Sequence, residues 1–272
     1  MTTHPVPPVG ALIRDWRQLR RFSQLDLALE AEISQKHLSF IESGRSRPSR
    51  EMVLLLAEHL CVPLRERNAL LLAAGYAPVY RERPLEDPSL QPARQAIELI
   101  LKGHEPYPAL AVDRHWNLLA ANGAVTNLLG LVAAAELLRP PVNVLRLSLH
   151  PGGLAPAIAN FPEWKEHLLA RLRQQVRATA DMRLGALLSE LAAYPDPSGE
   201  AGARHEAAEP AIAVPLRLRL GDATLSLIST TTVFGTPVDV TLSELALETF
   251  FPADPATAET LRMLAAAGAG RA

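Results

Sequence analysis

The stretch Ser23-Gln24-Leu25-Asp26-Leu27-Ala28-Leu29-Glu30-Ala31-Glu32-Ile33-Ser34-Gln35-Lys36-His37-Leu38-Ser39-Phe40-Ile41-Glu42-Ser43-Gly44 reads as two short helices with little chain between them. Ser23 followed three residues later by Asp26 is a capping-box-like start, and Leu25, Leu27, Ala28 and Ala31 continue a short helix. A tight link through Glu32 and Ile33 leads to Ser34, a second cap. The following helix, Gln35 to Glu42, stops at Ser43-Gly44, where glycine suits a left-handed C-terminal residue. Two helices joined by about three residues form a helix-turn-helix. In the second, Leu38 and Ile41 point inward, while Gln35, Lys36, Ser39 and Phe40 face outward near its amino-terminal end. Glutamine and lysine present donors and acceptors that suit base edges in a major groove. Arg45 and Arg47, just past the helix, are placed to meet phosphates.

Outward from this pair, Leu12, Trp16 and Leu19 recur at helical spacing, with Arg14, Arg17, Arg20 and Arg21 on the other sides. Ser49 caps a fourth helix with Met52, Val53, Leu56, Ala57 and Leu60 as its buried stripe, and Pro63 opens a fifth, Leu64 to Ala74. This gives an all-α five-helix domain over residues 1–75. Three prolines and mixed charge between Tyr76 and Pro88 stop helices, so 76–92 is the expected linker, followed by a mixed domain over 93–268. The chain of 272 residues has a net charge of -2, which argues against a basic nucleic-acid protein taken whole. The charge is segregated: residues 1–80 carry +2, and Val9 to Arg50 alone +3.

Ser23-Gln24-x-x-Leu27-Ala28, Ile33-Ser34, Leu38-x-x-Ile41-Glu42-x-Gly44 and Pro48 resemble the XRE (Cro/CI-type) helix-turn-helix of phage-type repressors over about residues 9–75. The resemblance implies that Gln24 contacts a phosphate and that Gln35, Lys36 and Phe40 occupy base-edge positions. It also implies an Arg17–Glu42 pair that fixes the first helix to the third. Phe40 departs from the polar residue usual there; a ring at that place packs against a thymine methyl instead of hydrogen bonding.

Beyond the linker, Tyr107 to Asp113 and Trp116 to Ala120 read as two strands around a tight turn, with a helix beginning at Asn122. Ile212 to Leu220 and Thr224 to Val233 alternate around Gly221-Asp222, a hairpin signal, and Val240 to Phe250 is a third run. Helices fill the interval, clearest at Trp164 to Thr179 and Asp181 to Ala193, and Tyr194 to Pro210 reads as a long loop. The expectation is an α+β domain with a five-stranded antiparallel sheet covered on one face. Asp113-x-x-Trp116-x-Leu118-x-x-x-Asn122 is similar to the opening of PAS-type sensor domains. Asn143-Val144-Leu145-Arg146-Leu147, Leu149-His150-Pro151, Glu190-Leu191, Phe234-Gly235-Thr236-Pro237 and Phe250-Phe251-Pro252-Ala253-Asp254 resemble the MmyB-like ligand-binding domain of bacterial regulators. That resemblance, with the XRE motif, covers nearly the whole chain and implies a transcription factor whose DNA binding answers a small molecule.

A helix-covered sheet can hold a concave, mostly apolar site. Leu145, Leu149, Leu154, Ile158, Phe161, Trp164 and Leu168 are candidates for its wall, and Trp116, Asn143, Arg146 and His150 for its polar rim. Each apolar residue also fits a plain core; Arg146 also suits a carboxylate partner, and Asn143 a helix cap. The aliphatic lining suggests a small apolar, fatty-acid-like ligand. A lone cysteine, Cys61, leaves no intramolecular disulfide, and no metal-spaced cluster, nucleophile elbow or phosphate-binding glycine loop appears, so neither catalysis nor a cofactor is expected. The opening residues lack a signal-peptide pattern, and Leu128 to Leu138 is too short to cross a bilayer, so a cytoplasmic protein with no membrane partner is expected. A palindromic double-stranded DNA operator would call for a homodimer. The alternative is a constitutive DNA-binding regulator whose carboxy-terminal domain serves only dimerisation or protein contacts.

Overall fold

The computed structural model describes residues 7–197 and 214–269. Their contacts divide the chain into two units: residues up to Pro84 together with Thr236–Ser243, and Leu85–Gly235 together with the residues from Glu244 onward.

The first unit begins with α1 (Val9–Leu19), α2 (Gln24–Glu30), α3 (Gln35–Glu42), α4 (Arg50–His59) and α5 (Leu64–Ala73). Their starts follow the sequence. The Ser23 hydroxyl accepts from the Asp26 N–H while Asp26 reaches back to the Ser23 N–H, and Ser34 and Ser49 cap α3 and α4 through the His37 and Met52 N–H groups. The stops repeat one geometry. Arg21, Glu32, Gly44, Cys61 and Gly75 all adopt positive φ, and the next residue's N–H reaches back five positions, as from Phe22 to Arg17 and from Arg45 to Phe40. Ile13, Leu27, Leu38, Leu56 and Leu71 have no exposed surface, so the apolar stripes of all five helices meet in one core. Here α1 crosses α3 so closely that a Cβ on Gly10 would lie 2.2 Å from the Ile41 carbonyl oxygen.

The proline-rich stretch expected as a linker over 76–92 divides between the units. In the first, the Asn68 amide on α5 receives the Val79 and Tyr80 N–H groups and donates to the Tyr80 carbonyl, and Arg65 pairs with Glu82. The rest of the stretch, from Leu85, belongs to the second unit, where α6 (Gln91–Gly103) begins.

The second unit holds β1 (Ala109–Val112), β2 (Leu118–Ala121), α7 (Gly123–Leu129), α8 (Val144–Leu149), α9 (Phe161–Thr179), α10 (Met182–Ala193), β3 (Leu216–Leu220), β4 (Ala223–Val233), β5 (Ala246–Pro252) and α12 (Pro255–Ala269). The label α11 belongs to a helical turn of the first unit, Val240–Ser243. The five strands form an antiparallel sheet in the order β2-β1-β5-β4-β3. Gly221 at positive φ closes the β3–β4 hairpin. The strand expected from Ile212 begins at Leu216 among the described residues, and most of the loop expected over Tyr194 to Pro210 lies outside them.

Two expectations change. The run Val240 to Phe250 is a helical turn followed by a strand, because the Asp239 carboxylate accepts from the Thr241 N–H and caps α11. The sheet, expected to be covered on one face, is covered on both at its centre. Successive β1 residues face opposite ways: Leu110 and Val112 join the large core with α8, α9 and α10, whereas Ala109 and Ala111 pack with Ile97 and Leu101 of α6. Among the described residues no helix is long and apolar enough to cross a membrane.

The Gly10 contact yields a prediction. Gly10→Ala brings a better helix former but overpacks a backbone contact, so the first unit should lose about 1–3 kcal/mol. Denaturant unfolding of the full chain with the α1 amides followed by hydrogen exchange measures it.

Candidate DNA-reading and ligand sites

In the first unit the candidate site is the outer face of α3. Gln35 and Lys36 are exposed, and Ser39 and Phe40 half-buried. Phe40 stands between two cations, with Lys36 Nζ at 5.7 Å and the Arg45 guanidinium at 5.9 Å from its ring centroid. Lys36, Phe40 and Arg45 therefore make one exposed patch with a ring at its centre.

Gln24 and Arg47 have intramolecular partners. The Gln24 Nε2 donates to Glu42 Oε2 at 2.8 Å. Arg47 donates twice to the Ala74 carbonyl, at 2.9 and 3.3 Å, and places its charge at the carboxy-terminal end of α5, where a cation is favoured. Arg45, exposed beside Phe40, has no comparable tie among the described residues.

What orients α3 is the Glu42 carboxylate, whose side chain has no exposed surface. Arg17 on α1 donates to it through Nε at 2.6 Å and Nη2 at 2.9 Å, and its third nitrogen holds the Phe22 carbonyl at the α1–α2 turn. Arg14 donates to the Glu42 backbone carbonyl at 3.0 Å. Burial works to raise the Glu42 carboxyl, but hydrogen bonds from Arg17 and Gln24 and the charges of Arg17 and Arg14 outweigh it and hold it below the ordinary range. One carboxylate thus ties α1, α2 and α3 together.

In the second unit a cavity of about 110 Å³ opens inside the large core. A single water needs only about 10–15 Å³, so this space takes a larger group. Leu110, Leu118, Val125, Leu145, Leu154 and Leu168 form much of its wall, with Trp116, Trp164 and Phe250. Both indole N–H groups are already paired: Trp116 donates to Gln175 at 2.8 Å, and Trp164 to Ser148 at 3.0 Å.

The charged part of the wall is a pair absent from the sequence reading. Glu248 on β5, with a side chain 4 % exposed, accepts from Arg171 of α9 at 2.8 and 3.2 Å and from the Thr231 hydroxyl at 2.8 Å. The Arg171 guanidinium also lies 4.8 Å from the Trp116 ring centroid. The available signal was Glu248 itself, a carboxylate in the apolar run Leu245 to Phe250.

Of the residues expected at the ligand site, Trp116, Leu145, Leu154, Trp164 and Leu168 line the cavity. Leu149, Ile158 and Phe161 are buried in the same core but do not line it. Asn143 caps α8 through the Arg146 N–H and donates to the His115 carbonyl. Arg146 forms a bidentate pair with Glu190, at 2.8 and 2.7 Å, that ties α8 to α10. Tyr194 donates to the same carboxylate; burial, then that hydrogen bond, push its hydroxyl up to about 12. His150 stacks edge-on against Tyr194 and accepts from the Gly152 N–H. Arg146 and His150 are therefore parts of an α8–α10 clasp. Among the described residues no group of three or more His, Cys, Asp or Glu is arranged to hold a metal ion.

Comparison with known families adds two matches. Residues 93–264 match the model of the MmyB-like transcription regulator ligand binding domain, and residues 13–67 match a helix-turn-helix model. No curated protein matches the chain.

The Glu42 junction yields a prediction. Arg17→Ala leaves a buried carboxylate without its main partner and should cost the first unit about 3–5 kcal/mol. With its folded pKa depressed, Glu42 contributes stability in full above its ordinary value of 4.5 and loses it as pH falls through the lower folded value. Acid titration of unfolding should show that loss in the native chain and not in Glu42→Gln.

Proposed function

The chain belongs to the family defined by the MmyB-like transcription regulator ligand binding domain, here preceded by a helix-turn-helix, and we propose that it reads a DNA operator through α3 and adjusts its operator affinity to a small apolar ligand held in the second unit. The observation that carries this reading is the cavity, walled by aliphatic side chains and two indoles and marked by one buried ion pair. Small-molecule sites combine an apolar wall with a few placed polar groups in this way. The aliphatic wall favours an alkyl chain, and a fatty-acid-like molecule is the ligand we assign.

Gln35 and Lys36 select bases at the exposed amino-terminal end of α3. Phe40 meets a thymine methyl, Ser39 lies beside them, and Arg45 sets affinity through a phosphate. Gln24 retains a carbonyl oxygen free of the Glu42 bond and acts chiefly by holding α3 in place. Arg47 contributes mainly through the α5 end that it caps. The protein acts in the cytoplasm as a homodimer, two copies presenting α3 to half-sites about 34 Å apart on one face of the duplex.

Operator selection on the full chain tests the reader. Gln35→Ala should lose roughly 1–3 kcal/mol of discrimination at one base position, whereas Arg45→Ala should weaken all sequences alike and lower the salt slope by about one. Base preference unchanged in Gln35→Ala would overturn the assignment.

Native mass spectrometry with lipid extraction tests the cavity. A bound alkyl-chain molecule is expected in the purified protein and should be lost in Leu145→Trp, which fills the space, with operator binding retained. Operator affinity identical with and without bound ligand would instead establish a constitutive regulator, since a ligand acts only through a difference in affinity for two states.

A further inference from the structure

The residues between β4 and β5 do not stay with the sheet. Thr236–Ser243 belong to the first unit, although the strands on either side belong to the second. Their attachment there is specific. Val240 has no exposed surface and Asp239 is 2 % exposed. The Val240 N–H donates to the Arg81 carbonyl at 2.8 Å, the Thr241 hydroxyl donates to the Arg83 carbonyl, and Arg83 Nε stands 3.3 Å from Asp239 Oδ2. The turn α11 that follows packs against α5. A connection that served only to join two strands needs none of these.

Both ends of this connection lead to functional parts. On one side, β4 and β5 supply Leu227, Ser229, Glu248 and Phe250 to the cavity, and Thr231 faces Glu248 across the strand pair while donating to its carboxylate. Only four residues separate Ser243 from Glu248 along the chain. On the other side, α5 packs against α1, and α1 carries Arg17 to the Glu42 carboxylate of α3.

We propose that Thr236–Ser243 is the coupling strap through which cavity occupancy reaches the DNA reader. A group entering the cavity competes for the space and hydrogen bonds of Arg171, Glu248 and Thr231. Any resulting change at the ends of β4 and β5 is passed, through a strap fixed by Asp239 and Val240, to α5 and from there to α1 and α3. The inference rests on the ligand-responsive reading above, and adds where the response travels.

The test uses the full chain, an operator selected with it, and decanoate and decan-1-ol as separate probes. Probe binding is followed by tryptophan fluorescence and operator affinity by anisotropy. In the native chain at least one probe should change the operator Kd by about fivefold or more, and in Asp239→Ala by less than about twofold, with probe affinity retained. An Asp239→Ala protein that keeps the native change overturns the strap. A native chain whose operator affinity ignores bound probe overturns the ligand-responsive reading instead.

In that case hydrogen exchange judges the strap without any probe. Faster exchange at both α5 and β5 amides in Asp239→Ala supports it, and acceleration confined to residues 236–243 overturns it. Should Asp239→Ala fail to fold, Asp239→Asn, which keeps the side-chain shape and removes the charge facing Arg83, takes its place in both measurements.

Discussion

A carboxylate with no exposed surface can be kept charged only by partners that never leave it, and Glu42 has three: Arg17 and Arg14 from α1 and Gln24 from α2. Such an arrangement earns little net stability, because taking the charges out of water costs nearly what their attraction returns. Its value is directional. Two parallel hydrogen bonds from a planar guanidinium allow α1 and α3 one mutual orientation. Gly10 lets the two backbones meet at the other end of the same contact. The direction of the first turn of α3, through which we propose that DNA is read, is set by this junction.

The second unit solves a comparable problem with the opposite balance. Its cavity is mostly aliphatic, yet a charged pair is built into the wall. Glu248 has both carboxylate oxygens engaged by Arg171, one of them also by Thr231, and Arg171 is further held by the face of Trp116. A wall whose charged pair is already satisfied leaves the rest of the cavity apolar. By contrast, the Arg146–Glu190 pair, although shorter, is 43 % and 37 % exposed on its two sides and joins helices at the surface, where an ion pair contributes little.

The helices of the first unit were legible because their signals are local: Ser23, Ser34 and Ser49 lie beside the turns that they cap. The sheet was legible from alternation and from Gly221-Asp222. Relations between distant positions were not. Arg171 meets Glu248 across 77 residues, and Arg47 finds its acceptor 27 residues away, so the apolar run around Glu248 could mark a buried carboxylate but not its partner. Arg146 and His150 share a helix or its edge with cavity residues, and periodicity could not say which of them turned toward α10. Asp239 misled for a local reason: in a run of alternating residues, a capping carboxylate starts a helical turn where the pattern continues as strand.

The first unit is discontinuous along the chain, since Asp239 and Val240 complete a packing begun near Arg81 and Arg83. Regulators of this architecture invite the picture of interchangeable parts, with any sensor placed behind any reader. That picture fails here. A break after Pro84 would strip the reader of a buried side chain and leave Arg83 facing an empty seat. Recombination that replaced the sensor would have to import a β4–β5 connection matching the old reader. No single cut in the chain therefore separates the two units, and an exchange of one of them has to carry residues 236–243 with the helices that they pack against.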